Sequence, residues 1–353
     1  MDLNYRVATG IIVKEYLDER KISEEKLAEV SFTTKKNISK FLKGNLELTQ
    51  EIANALEKLL PEISASYWLN LESEYNKYLA LEKVNEKNIE SENLQEISKR
   101  FKFKEVFKGL GWDLEKQAQE MLNILKLTNF GDFDMQYSSL QVDFFEDGGE
   151  REAIAVWLGL CEEEAELQIE DVDKNEFSRE SLEKNLKLFK AIANNSNLNK
   201  SLESCKKLCN KCGVYFVELE AITNCKVRGA LTTYKEHPAI FISRRFKTHD
   251  HTWFAIAHEL GHLLKHYKTG DLLISFEDQT KDNEIKEKEA NEFARDFFIT
   301  KENYEKFLNE NNFSEKSINS FSIKNKIQPG ILIARLQHDG YLSMSSMNHK
   351  KTK

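Results

Sequence analysis

The sequence predicts a mainly α-helical protein that ends in an α+β part. Hydrophobic residues make up 40% of its 353 positions and include 22 phenylalanines, a supply suited to packed cores. Only 3 prolines occur, which leaves little room for Pro-rich linkers or turn-dense β architecture. A strand-like run, VYFVEL (214–219), comes late, after a long stretch in which apolar residues recur at helical spacing. The length suits two or three domains.

The net charge of −8 means that the molecule as a whole repels nucleic acid, so any DNA contact needs a local basic surface. The first twenty residues lack the apolar centre of a signal peptide, and the run AIAVWLGLC (153–161) is too short to span a bilayer. The expectation is a cytoplasmic protein with no membrane partner. Five cysteines, an odd number in a chain that folds without staples, fit free thiols.

From the start of the chain, residues 9–20 read as an amphipathic helix. SEEKLAEV (23–30) opens on a serine suited to N-capping and turns Leu27 and Ala28 inward. After a short break, Thr34 can cap a third helix in which Ile38, Phe41 and Leu42 repeat at i, i+3, i+4, with Gly44 as its stop. The outward face keeps Lys35, Lys36, Asn37, Ser39 and Lys40 and carries no acid. Lysines of this kind neutralise phosphates, and polar residues near a helix start reach base edges in the major groove.

SEEKLAEVSFTTKKNISKFLKG (23–44) resembles the helix-turn-helix of the XRE (Cro/repressor-like) family, and residues 48–79 resemble the following helices of its HigA-type antitoxin branch. The resemblance covers about 5–82. It implies a five-helix, λ-repressor-like domain over 1–84 that binds a double-stranded DNA operator through Thr34, Lys35, Lys36, Asn37, Ser39 and Lys40. A homodimer and a bound toxin are further family-level expectations. Phe32 stands where the family usually has glycine in the turn.

Residues 85–200 read as a helical connecting region with breaks at GLGWD (109–113) and NFGDF (129–133), and with no motif that carries chemistry. SLESCKKLCNKCG (201–213) has a C-x3-C-x2-C spacing like that of a cluster-binding loop. Its leucines and cysteines also form a 3–4 periodic apolar stripe ending at a glycine, so a plain amphipathic helix is the better reading.

FAIAHELGHLLKHY (254–267) places His258 and His262 four residues apart, on one helical face, where both can ligate one tetrahedral zinc. Glu259 then lies beside His258, aimed at a water rather than at the metal. KEKEANEFARDFFI (286–299) supplies a second helix whose buried stripe is Ala290, Phe293, Ala294, Phe297 and Phe298. At about 100° per residue Glu287 lies roughly 50° from the centre of that stripe and Glu289 roughly 110° away, which favours Glu287 as third ligand and keeps Glu289 as the alternative.

HELGH (258–262) with EKEANEFA (287–294) resembles the ImmA/IrrE family of zinc metallopeptidases, as do PAIFISRR (238–245) upstream and IQPGILIARLQHDGYL (327–342) downstream. The resemblance implies a zincin-like domain with a small β-sheet over 201–345, Zn2+ held by His258, His262 and Glu287, and Glu259 as catalytic base, followed by a disordered tail at 346–353. Three protein ligands leave one position for water, whose proton Glu259 would take and pass to the departing amine. His251, His266 and Tyr234 are candidates for stabilising the oxyanion, and the strand Ala239–Ser243 could pair with an extended protein substrate.

Two functions follow. One is a DNA-binding regulator that cleaves a regulatory protein, or itself. The other is a non-catalytic repressor or antitoxin whose peptidase-like part is a sensor or toxin-binding module; it has no use for a base at Glu259.

Overall fold

A computed structural model describes residues 7–89, 93–138, 140, 151–245, 247–276 and 285–352. The chain is mainly helical, with one four-stranded mixed sheet in its C-terminal region. It divides into two compact units.

The first unit comprises Met1–Gln95 and Asp113–Phe133. It begins with α1 (Thr9–Glu19), α2 (Glu24–Val30), α3 (Lys35–Leu42), α4 (Gln50–Leu59) and α5 (Ala65–Ile89). The helix starts are set by side-chain caps: Ser23, Thr34 and Thr49 accept hydrogen bonds from the amides of Lys26 (3.2 Å), Asn37 (3.2 Å) and Ile52 (3.3 Å). Val13, Leu27, Ile38, Phe41, Leu56 and Trp68 meet in its core. In the turn between α2 and α3, Phe32 is 92% exposed with φ 55°. The phenylalanine takes the left-handed backbone that a glycine would take without strain.

Gly10 lets α1 and α3 touch: a Cβ there would lie 1.7 Å from the Phe41 carbonyl oxygen. Gly10→Ala is therefore expected to destabilise this unit by about 3 kcal/mol. Hydrogen exchange checks it: amides of α1 and α3 lose protection in the variant, and protection equal to wild type would contradict so close a crossing.

Two short helices, α6 (Leu94–Arg100) and α7 (Phe103–Val106), precede α8 (Leu114–Leu125), which returns to the first unit and packs on α5. The second unit comprises Glu96–Trp112 and Asp134–Lys353. After α9 (Phe133–Gln136) it contains α10 (Arg151–Glu166), α11 (Ile169–Val172), α12 (Arg179–Ala193) and α13 (Leu198–Lys211). Then follow β1 (Tyr215–Leu219), β2 (Val227–Tyr234), β3 (His237–Ser243), α14 (His249–Lys265), β4 (Leu273–Phe276) and α15 (Ile285–Phe298). The unit closes with α16 (Lys301–Asn309), α17 (Glu315–Asn325), α18 (Pro329–His338) and a short 3-10 turn, Asn348–Lys350.

The sheet order is β1-β3-β2-β4. β1 runs parallel to β3 with Phe216 opposite Ile240, β2 antiparallel to β3 with Leu231 opposite Ile240, and β2 antiparallel to β4 with Ala230 opposite Ile274. β3 is thus paired on both sides and cannot receive a substrate strand, contrary to the expectation for Ala239–Ser243. The β2–β3 turn is Lys235-Glu236 with φ of 42° and 66°, a two-residue hairpin turn made without glycine.

The residues expected to form a connecting region, 85–200, are shared between the units, because α10 buries its apolar run against the sheet. Trp157 Nε1 donates to the Leu219 carbonyl at 3.4 Å, and Gln168 Nε2 donates to the Phe216 carbonyl at 3.0 Å while its Oε1 accepts from the Phe216 amide at 3.3 Å. α13 is the helix read from the cysteine stripe. Cys205, Cys209 and Cys212 are buried free thiols in the core, and burial pushes the Cys212 thiol up to about 11.

The tail expected to be disordered is held in place as far as it is described. Lys351 Nζ lies 3.0 Å from the buried Asp250 carboxylate, and the Thr352 carbonyl accepts from the His249 amide at 2.9 Å. A buried carboxylate at the start of α14 needs a cation, and the lysine-rich tail provides it. No helix among the described residues is long and apolar enough to cross a membrane.

Candidate metal centre

Thr248 precedes α14 in extended conformation, and the helix runs through the core with nearly every side buried. On one of its faces His258 and His262 meet edge to face, with ring centroids 4.6 Å apart. α15 crosses this face closely: a Cβ on Gly261 would lie 3.0 Å from the Phe293 ring. That crossing brings Glu287, in the first turn of α15, to the two rings.

Glu287 Oε2 lies 3.2 Å from His258 Nε2, its Oε1 2.9 Å from His262 Nε2, and the two Nε2 atoms are 2.9 Å apart. A tetrahedral zinc with bonds of about 2.0–2.1 Å needs donors about 3.3 Å apart, within a few tenths of an ångström of this triangle. Two imidazole nitrogens and one carboxylate oxygen, all buried, are a borderline-soft N/O set that suits zinc. Burial alone would raise the Glu287 carboxyl, yet the hydrogen bonds and charge of His258 and His262 hold it down at about 2.

The sequence left Glu287 and Glu289 as alternatives; the structure brings Glu287 to the histidines. Glu289, with a side chain 45% exposed, instead meets His266, its Oε2 2.9 Å from His266 Nε2. The other ring nitrogen, His266 Nδ1, lies 3.1 Å from His262 Nδ1. Asn291, which the sequence reading left without a role, accepts from His258 Nδ1 at 3.0 Å through its Oδ1.

Glu259, next to His258 on α14, packs against β2 of the sheet and lies near His262 and Glu287. It is fully buried, and among the described residues neither of its oxygens has a hydrogen-bond partner. Burial pushes its carboxyl up to about 7, against the opposing pull of His262 and of the nearby Ser275 hydroxyl. Gly229 makes room for it: a Cβ there would lie 2.5 Å from Glu259 Oε1. The glycine sits where the β2–β4 register shifts between Val227 and Gly229, an irregularity of the kind that re-aims strands beside sites.

Of the three oxyanion candidates, two are engaged by carboxylate partners. Tyr234 donates to Glu166 Oε2 at 2.8 Å, five residues and about 17 Å along β2 from Gly229. His266 is committed to His262 and Glu289. His251 lines a cleft of ≈ 560 Å³ whose walls include Arg228, Phe254, Asn291, Met344 and Lys351. Asn291, which bonds His258, is part of the wall of this cleft.

In the first unit Thr34, Lys35, Lys36 and Lys40 are exposed, and Asn37 and Ser39 are half-buried. Thr34 is spent on capping, and Lys35 pairs with Glu25 across the turn. Lys36 and Lys40 keep the face basic.

Residues 211–324 match the model of a peptidase family described as the IrrE N-terminal-like domain. The matched stretch contains β1 to β4, α14 and α15, and with them His258, Glu259, His262 and Glu287. Comparison with curated proteins and with solved structures gave no match.

Proposed function

We propose that the chain is a cytoplasmic, DNA-binding transcriptional regulator whose second unit is a zinc-dependent endopeptidase, cutting a regulatory protein or itself. The observation that carries this reading is the convergence of His258, His262 and Glu287 near a buried carboxylate, Glu259, whose oxygens have no hydrogen-bond partner among the described residues. The family match over 211–324 supports the peptidase half.

His258, His262 and Glu287 would hold the zinc, which when bound activates a water and polarises the scissile carbonyl. Glu259, raised toward neutrality by burial, takes a proton from the attacking water and returns it to the leaving amine. With β3 internal to the sheet, an extended substrate can pair only at an edge, and β4 presents the edge nearer Glu259 through Ser275. The cleft lined by Arg228, His251 and Phe254 would receive the flanking side chains.

The DNA half rests on the basic face of α3 and on its resemblance to a helix-turn-helix. Lys35→Glu, Lys36→Glu and Lys40→Glu combined are expected to abolish retention on double-stranded DNA and its salt dependence. Retention equal to wild type would remove the DNA reading and leave the peptidase untouched.

Elemental analysis of the purified protein tests the other half. One zinc per chain is expected. A protein that takes up none, even when supplied with the ion, leaves the repressor or antitoxin reading in its place.

A further inference from the structure

We infer that His266 and Glu289 are positioning residues that fix which nitrogen of His262 carries its proton, and so present its Nε2 lone pair to the metal. The inference rests on the zinc reading above and extends it by two residues.

The argument is one of donors and acceptors. A neutral imidazole has one N–H and one bare nitrogen, and only the bare one binds a metal. His262 Nε2 faces Glu287 and His258, so for that atom to be bare the proton must sit on Nδ1. His262 Nδ1 lies 3.1 Å from His266 Nδ1, and a hydrogen bond between two ring nitrogens needs one bare partner. His266 Nδ1 must then accept, which puts its own proton on Nε2. That atom is 2.9 Å from Glu289 Oε2, and an ionised carboxylate can only accept. The Glu289 carboxylate thus sets the tautomer of His266, and His266 sets that of His262.

The same helix anchors both ligand histidines. α15 carries Asn291, whose carbonyl oxygen fixes His258 directly, and Glu289, which fixes His262 through one intermediate ring. Glu289 lies two residues from Glu287 on α15, while His266 is one helical turn from His262 on α14. The crossing that assembles the ligands therefore assembles their orientation too.

Competition for zinc against a chromophoric chelator tests this on wild type, Glu289→Ala, His266→Phe and the double variant. Each single variant is expected to bind zinc about 10-fold more weakly, the lower end of what outer-shell changes typically cost. The double variant is expected to bind no more weakly than His266→Phe, because links in series fail once. Melting temperatures of the metal-free proteins, which a merely structural role would lower, are expected to agree; Glu289 is half-exposed, so its removal leaves the fold intact. Single variants that bind as wild type overturn the relay alone. So does a Glu289→Ala effect that persists in the His266→Phe background, since that is through-space attraction of the cation. A wild type that binds no zinc overturns the relay together with the metal reading.

Discussion

Glu259→Gln is expected to abolish peptide hydrolysis while the protein still takes up one zinc per chain. Glutamine has nearly the shape of glutamate and would fill the same space against Gly229, so packing is kept. It cannot accept the water's proton, and general-base catalysis of this kind contributes on the order of 10²–10⁴-fold. The fold should tolerate the change well. Glu259 is buried, its oxygens without hydrogen bonds among the described residues, and a neutral amide there removes a desolvated carboxylate. Loss of cleavage of a quenched-fluorescent peptide library, with unchanged zinc content and an unchanged or raised melting temperature, is the expected pattern. Cleavage at the wild-type rate would mean that another group accepts the proton.

Glu287→Ala is expected to weaken zinc binding by more than about 100-fold, beyond the 10–100-fold of outer-shell changes. The carboxylate bridges both histidines at 2.9 and 3.2 Å and carries the negative charge of the cluster. Without it two imidazoles face each other across 2.9 Å with nothing to balance a dication. His262→Ala should do the same by removing a ligand outright. Glu289→Ala should still bind one zinc per chain at saturating metal. Elemental analysis of the three variants after loading checks the ranking, and a Glu287 variant as full of zinc as wild type would move the third ligand elsewhere.

The helical parts of the fold were legible because their signals are local. Ser23 and Thr34 mark helix starts, Ile38, Phe41 and Leu42 mark an inward face, and the caps and burial are as those residues suggest. His258 and His262 share a face by spacing alone, and the angular position of Glu287 on α15 singled out the carboxylate that meets them. Strands β2 and β4 were not legible. β2 is interrupted by Gly229 and ends in a Lys-Glu turn with neither Asn nor Gly, so the usual hairpin signal is missing. Glycine at 229 reads as a strand breaker until the Glu259 side chain is seen lying where its Cβ would be. Roles that depend on tertiary crossing, those of Asn291, His266 and Glu289, have no periodic signature at all. The tail failed for a related reason: its lysines look like solvated charge unless the carboxylate they answer is known.

That ion pair has a practical side. Asp250 opens the helix that carries His258 and His262, and its side chain is 1% exposed against 10% for Lys351. Removing one partner of a buried pair costs about 3 kcal/mol or more. Loss of Lys351, or a bulky group placed beside it, would therefore disturb the helix that carries His258 and His262 from nearly a hundred positions away. A variant or shortened chain that lacks this pair and loses activity should not be taken to have lost a substrate-binding element.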